Sequence, residues 1–216
     1  MRLALFGPPG AGKGTQAKRL AGAHDLTHLS TGDLFRAAIR DRTDLGRQVD
    51  DLLKAGSLVP DELTNGLVAE RLAAIGDGGF VLDGLPRTVP QAEWLLGHLA
   101  EAGTPLDAVV SLRVPDEDVV ARLSRRRTDP ETGAIYHLDF NPPPDDVPED
   151  RLVHRSDDQP EAIRHRLAVY HDETAPVEAT LREHVRYHEV DGTGGVDEVT
   201  ERIEESVAAD RGLAGV

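Results

Sequence analysis

The chain contains no cysteine. That excludes disulfides and thiolate metal sites and points to the cytoplasm. It has no apolar stretch approaching about 18 residues, so no membrane-spanning helix is expected. Positive charge is scarce. Twenty-four basic residues stand against 39 acidic ones, for a formal net charge of −15, and only Lys13, Lys18 and Lys54 are lysines. This balance opposes nucleic-acid binding, which needs a positive footprint. It suits a protein adapted to high salt, where surface carboxylates maintain solubility and screening weakens their self-repulsion.

Glycine, by contrast, is concentrated where it matters. Residues 7–15 read Gly-Pro-Pro-Gly-Ala-Gly-Lys-Gly-Thr, directly after the apolar run Leu3–Phe6. The run leads into this turn and not into a cleavage site, so it reads as a core strand and not a signal peptide. Consecutive N–H groups of such a turn can point into one concavity at a helix N-terminus, where the helix dipole favours anions. Lys13 adds a point charge that can reach β- and γ-phosphates. A triphosphate is the expected ligand. Gly14 stands where this loop usually carries a Ser or Thr for Mg²⁺. The departure resembles the loop of nucleoside monophosphate kinases more than that of switch GTPases or motors. It implies Mg²⁺ held mainly through water.

At 216 residues the chain suits one α/β domain with small insertions. Strands are expected at 2–6, 27–30, 79–83, 107–113 and 185–190. Helices are expected at 13–23, 31–41, 44–55, 61–75, 89–102, 115–127, 160–183 and 195–209. The alternation implies βαβ units and a parallel sheet. Thr31 is expected to cap one helix and Asp116, after Pro115, to start another. Residues 128–158 do not fit the layers. Two short strands around a turn at Pro130–Gly133 account for them better than a long structureless loop.

Three clusters follow the glycine-rich turn. Ser30-Thr31-Gly32-Asp33 and Arg36 come after the second strand, at the sheet edge where α/β ligands bind. Asp83-Gly84-Leu85-Pro86-Arg87 follows the third, with Gln91 four residues on. Asp83 is placed to position Mg²⁺ or its waters, and Gln91 offers donors and an acceptor to a base edge. Arg122, Arg125, Arg126 and Arg127 are expected on the helix before the excursion, with Arg155, Arg164 and Arg166 after it. In so acidic a chain, arginines at both necks of one insertion point to phosphates carried by two nucleotides.

The chain resembles the adenylate kinases of the long-lid form. The resemblance rests on Gly7–Thr15, Ser30–Arg36, Gly56–Pro60, Asp83–Arg87 with Gln91, Arg122 with Arg126, Tyr136-His137, Phe140–Pro143, Arg155 with Asp157-Asp158, Arg164 with Arg166, and Val190–Thr193. It implies a three-layer P-loop fold with a five-stranded parallel sheet flanked by helices, a helical AMP-binding flap at 31–60 and a small β lid at 123–160. The core would comprise 1–30, 61–122 and 161–216. It implies reversible transfer between ATP and AMP, giving ADP, with Mg²⁺ and lid closure, in a cytoplasmic monomer. Gly10, Ala11, Gly12, Lys13, Gly14, Thr15, Arg122, Arg126, Ile135, Tyr136 and Gly194 would bind ATP. Thr31, Arg36, Ser57, Leu58, Val59, Gly84, Arg87, Gln91, Arg155 and Arg166 would bind AMP. Lys13, Arg87, Arg122, Arg155 and Arg166 would be catalytic, with Asp83 holding Mg²⁺ through water. Some relatives fix the lid with four cysteines and zinc; the matching positions here are Asp129, Thr132, Asp145 and Pro148. Pro148 offers no ligand, so a partial polar network is expected in place of zinc.

A UMP or CMP kinase and a non-catalytic nucleotide-binding module remain as alternatives. A GTPase switch does not, because no guanine-reading Asn-Lys-x-Asp occurs. The salt reading gives one expected outcome. The melting temperature should rise from about 0.1 to 3 M KCl. A maximum in dilute buffer would contradict it.

Overall fold

A computed structural model of the chain describes the backbone of residues 1–213 and the side chains of 1–209. Residues 214–216, the end of the expected 161–216 core segment, lie outside the described residues. The centre is a parallel sheet of β1 (Arg2–Phe6), β2 (Thr27–Ser30), β3 (Phe80–Asp83), β4 (Ala108–Arg113) and β7 (Tyr187–Asp191), in the order β2-β3-β1-β4-β7. Apolar side chains alternate between its faces. Leu3, Leu5, Val110 and Leu112 pack one way with Leu20 and Ile163; Ala4, Phe6, Leu82 and Val109 pack the other way with Leu95, Leu99 and Leu181. Strands buried on both sides are what a helix-covered parallel sheet requires.

Register places the site. Leu5 and Ser30 both lie opposite Asp83. The turn after β1, the start of α2 (Thr31–Arg40) and the turn after β3 therefore emerge side by side at the carboxyl edge. Helix α1 (Lys13–His24) follows the glycine-rich turn. Helices α2 and α3 (Asp44–Ala55) form a pair with a small core of their own around Phe35, Val49 and Val59. Helices α4 (Asp61–Ile75) and α5 (Val89–Glu101) flank β3, and α6 (Asp116–Ser124) follows β4.

Three sequence expectations need correction. The helix expected at 115–127 stops at Ser124, because Arg126–Thr128 (β5) pairs antiparallel with Ile135–His137 (β6). Arg126 and Arg127 therefore sit on a strand, where tertiary pairing overrides helix propensity. The helix expected at 160–183 divides into α7 (Pro160–Val169), a wide turn at Tyr170–Thr174, and α8 (Val177–His184). Pro176 has no N–H to continue the ladder. Thr31 is not the cap of α2. Ser30 Oγ accepts from the Asp33 N–H at 3.2 Å, and the buried Thr31 hydroxyl instead donates to the Gly84 carbonyl at 3.0 Å. The last helix, α9, runs over Val196–Leu213.

The hairpin segment is held by a polar clasp. Asp129 is fully buried and accepts from the Glu131 N–H at 3.0 Å, the Thr132 hydroxyl at 2.8 Å and Arg151 at 2.8 Å. Asp145 and Pro148 are exposed and take no part. No zinc ligand set gathers there, and among the described residues no three His, Cys, Asp or Glu side chains converge as for a metal. Burial would raise the Asp129 pKa, but the Thr132 hydroxyl, the backbone N–H and the Arg151 charge outweigh it and hold it low. The hairpin tip meets the core where Lys18 Nζ donates to the Gly133 carbonyl at 3.0 Å.

A depressed carboxylate stabilises above its unfolded pKa, and that contribution is lost as pH falls through its folded value. Amide-exchange protection over 126–153 should therefore be full at neutral pH and decline below about pH 4. Arg151→Ala should lower it already at pH 7. Unchanged protection in that variant would show the clasp to be idle.

Candidate active site

The turn after β1 needs its glycines for room. Gly7 has φ +127°, and a Cβ there would lie 2.5 Å from the Leu112 carbonyl oxygen, so no side chain fits. Lys13, the first residue of α1, folds back and donates to the Gly7 and Pro8 carbonyls, each at 2.7 Å. Burial lowers its pKa to about 7. Asp83 opposes that shift, while Arg87, Arg166 and Arg126 add to it. Asp83 closes the floor of the turn. A Cβ on Gly14 would lie 3.1 Å from Asp83 Oδ2, so the missing side chain at 14 keeps the carboxylate open to the loop. Burial would raise the Asp83 pKa, but His28, Lys13 and Arg87 outweigh it and keep the group ionised at neutral pH. The sequence reading missed His28, whose Nε2 lies 3.9 Å from Asp83.

Two chambers open from this edge. One runs from residues 10–15 past Asp83 to Arg122, Arg126, Ile135, Tyr136 and Gly194. The other lies under α2 and α3, lined by Thr31, Ser57, Leu58, Val59, Gly84 and Gln91. Arg36, Arg87, Arg155 and Arg166 line both. Every residue that the resemblance assigns to the site borders one chamber or the other.

The arginines at the junction are held by acids, carbonyls and one hydroxyl. Arg126 forms a two-pronged bond to the fully buried Asp158 at 2.7 and 2.6 Å. Arg166 reaches Asp157 at 2.9 Å and Asp158 at 3.4 Å. Arg87 Nε donates to the Gly84 carbonyl at 2.8 Å, Arg155 Nε to the Thr128 hydroxyl at 2.8 Å, and Arg122 to the Gly192 carbonyl at 2.9 Å. Arg36 pairs with Asp33 at 2.7 Å. Burial, reinforced by neighbouring arginines, pushes Arg155 down to about 9 and Arg166 down to about 10. Three arginines of the expected cluster do not join. Arg125 pairs with Asp139, Arg127 bonds the Ser124 and Arg126 carbonyls, and Arg164 is exposed.

Several supporting residues carried no legible signal. Asp61 accepts from Gln91 Nε2 at 2.7 Å and from the Thr88 hydroxyl at 2.9 Å. Arg202 donates to the Asp191 and Thr193 carbonyls at 2.9 and 2.7 Å, fixing the turn that carries Gly194. His165 lies 3.2 Å from Ser57 Oγ, where the end of α3 meets α7. Asp157 and Asp158 stood in a quoted motif, but their part as anchors needed the fold. The sequence cue was adjacency: two acids follow Arg155 within three positions.

A strand–loop–helix anion trap facing a second chamber across shared arginines defines a P-loop phosphotransferase with two substrates. Comparison with known proteins narrows this. The family model described as adenylate kinase matches residues 5–185. The adenylate kinase of Salinibacter ruber is 53% identical over 97% of this chain and 99% of its own length. That of Fusobacterium nucleatum is 46% identical over 94% and 96%. That of Carboxydothermus hydrogenoformans is 43% identical over 96% and 99%. The chain belongs to the adenylate kinase family, and its reaction is ATP + AMP = 2 ADP.

Lys13 yields a stability prediction for the free protein. Its folded pKa lies below its unfolded value of 10.5, so from about 7 upward the unfolded chain holds a proton that the folded one has released. Stability therefore rises with pH across that window. The rise in melting temperature above pH 7 should shrink in Lys13→Met; an unaltered slope would remove the lysine from the account.

Proposed function

We propose that the two chambers are the donor and acceptor halves of one phosphoryl-transfer site. ATP occupies the first, with its phosphates on the 10–15 turn and Lys13, Arg122 and Arg126 over them, and Ile135, Tyr136 and Gly194 around the base. AMP occupies the second, between Thr31, Ser57, Leu58, Val59, Gly84 and Gln91. The observation that carries this reading is the wall of Arg36, Arg87, Arg155 and Arg166 common to both chambers. Two polyanions can approach head-on only where fixed cations separate and neutralise them.

The chemistry asks little else of the protein. The phosphate oxygen of AMP is already anionic and needs no strong base. The demands are in-line placement and the spreading of charge from the transferring group. Lys13 and the arginines supply both. Their burial without a full complement of acids means that the charge is already desolvated and aimed before substrates arrive.

Mg²⁺ fits the residues present. Asp83 is one carboxylate at the floor of the turn, and no side chain at Gly14 stands against its Oδ2. Mg²⁺ favours this type of site, keeping most of its waters and binding one carboxylate together with substrate phosphates. Bound there, it would neutralise β- and γ-phosphate charge. Structural zinc does not fit, since Asp129 is occupied by Thr132 and Arg151.

The domain reading follows. Residues 1–30, 61–122 and 161–216 form the core, 31–60 the AMP flap and 123–160 a long lid. Closure of the lid excludes water until the acceptor is bound. The Lys18–Gly133 contact and the Ser57–His165 contact support closure of both mobile parts onto the core. A monomer acting on free nucleotides in the cytoplasm completes this reading. The surplus of carboxylates supports a salt-adapted protein.

A coupled assay of ADP formation tests the site. Arg87→Lys and Arg122→Lys should each lower turnover by about 10³-fold or more with little change in melting temperature. Lysine keeps the charge but loses the planar fork. Near-wild-type rates in both would refute the assignment.

A further inference from the structure

The acceptor chamber is bordered by Gln91, 2% exposed, whose carboxamide is gripped at both ends. Oε1 accepts from the main-chain N–H of Arg87 at 2.8 Å, a group that can only donate. Nε2 donates to Asp61 Oδ1 at 2.7 Å, and a carboxylate can only accept. Turning the amide over would set oxygen against oxygen and N–H against N–H. Its orientation is therefore dictated by its partners. Asp61 reaches in from the first turn of α4, and its other oxygen takes the hydroxyl of Thr88, which caps α5 and accepts from the Gln91 N–H at 3.2 Å.

An unheld carboxamide is an indifferent reader of purines. The 6-amino edge offers a donor beside a ring acceptor; the 6-oxo edge offers an acceptor beside a ring donor. A free amide matches either by rotating half a turn. A locked amide has one N–H and one lone pair left, in one order, and matches only one edge. We propose that Asp61 is a specificity-determining positioning residue. By locking Gln91 it makes the acceptor site favour a 6-aminopurine monophosphate over a 6-oxopurine one. The inference rests on the reading of Gln91 as a base contact in the AMP chamber.

The test compares kcat/KM for AMP and IMP with ATP as donor. Asp61→Asn keeps the shape but can turn either a donor or an acceptor toward Gln91. The AMP-to-IMP ratio should fall about tenfold, the size of one hydrogen bond. KM for AMP should rise while activity on IMP improves. An unchanged ratio, or an equal loss on both acceptors, would overturn the proposal. Thr88→Val cuts the cap but leaves the Asp61–Gln91 bond; it should lower the melting temperature and leave the ratio alone. A collapsed ratio there would assign the effect to the cap and overturn the lock. Gln91→Leu separates the two readings. If it leaves the ratio as in the wild type, the base-contact reading fails. If it narrows the ratio and Asp61→Asn does not, only the lock fails. NMR of the unmutated protein adds a readout that needs no variant: the Gln91 side-chain amide proton donated to Asp61 should be protected from exchange, and rapid exchange of both amide protons would overturn the lock.

Discussion

Like charges forced together out of water set the terms for this molecule. Lys13, Arg36, Arg87, Arg122, Arg126, Arg155 and Arg166 converge on one cleft in a chain of net charge −15. Arg126 and Arg166 share a single fully buried carboxylate, Asp158. Such a cluster persists only if something rigid holds it. The parallel sheet provides that, because its register delivers three turns to one edge. Acids behind Arg36, Arg126 and Arg166, and neutral oxygens behind Arg87, Arg122 and Arg155, fix the direction of each guanidinium without cancelling the field in front of it. Burial lowers the pKa of Lys13, Arg155 and Arg166, and this is the same strain seen from the protein's side. In the proposed site, entering phosphate charge would relieve it.

The support around the site repeats one device. An oxygen acceptor takes one face of a functional side chain and leaves the other to the cleft. The Gly192 carbonyl does this for Arg122, the Thr128 hydroxyl for Arg155, the Gly84 carbonyl for Thr31 and, within its own turn, for Arg87, and the Asp61 carboxylate for Gln91. All but Arg87 are thus tied to two parts of the fold. The cleft is a property of the tertiary structure more than of any motif.

That explains which features could be read from the sequence. The anion turn, the strands and the clusters at 30–36 and 83–91 were legible because each is local: apolar period, glycine spacing and strand-end position lie within a few residues. The end of α6 and the break at Pro176 were misjudged where a nearby signal competed with long-range pairing; Pro176 itself was visible, and the strand pairing of Arg126 was not. Capping by Ser30 instead of Thr31 turned on which hydroxyl met Gly84, some fifty residues away. His28, Asp61, Arg151 and His165 also act on residues far away in the sequence and have no local pattern; Arg202 acts on nearer residues through main-chain carbonyls, which no motif marks. Of the seven arginines noted around the insertion, spacing could not separate the four that face the cleft from Arg125, Arg127 and Arg164.

The clasp at Asp129 has one further consequence. It is assembled from side chains the polypeptide always carries, so the hairpin needs nothing delivered from outside to reach its shape. An oxidant finds no thiol to attack. Its acid is sealed from solvent, where mobile ions screen poorly. The order of this hairpin thereby rests on hydrogen bonds and an ion pair among its own residues.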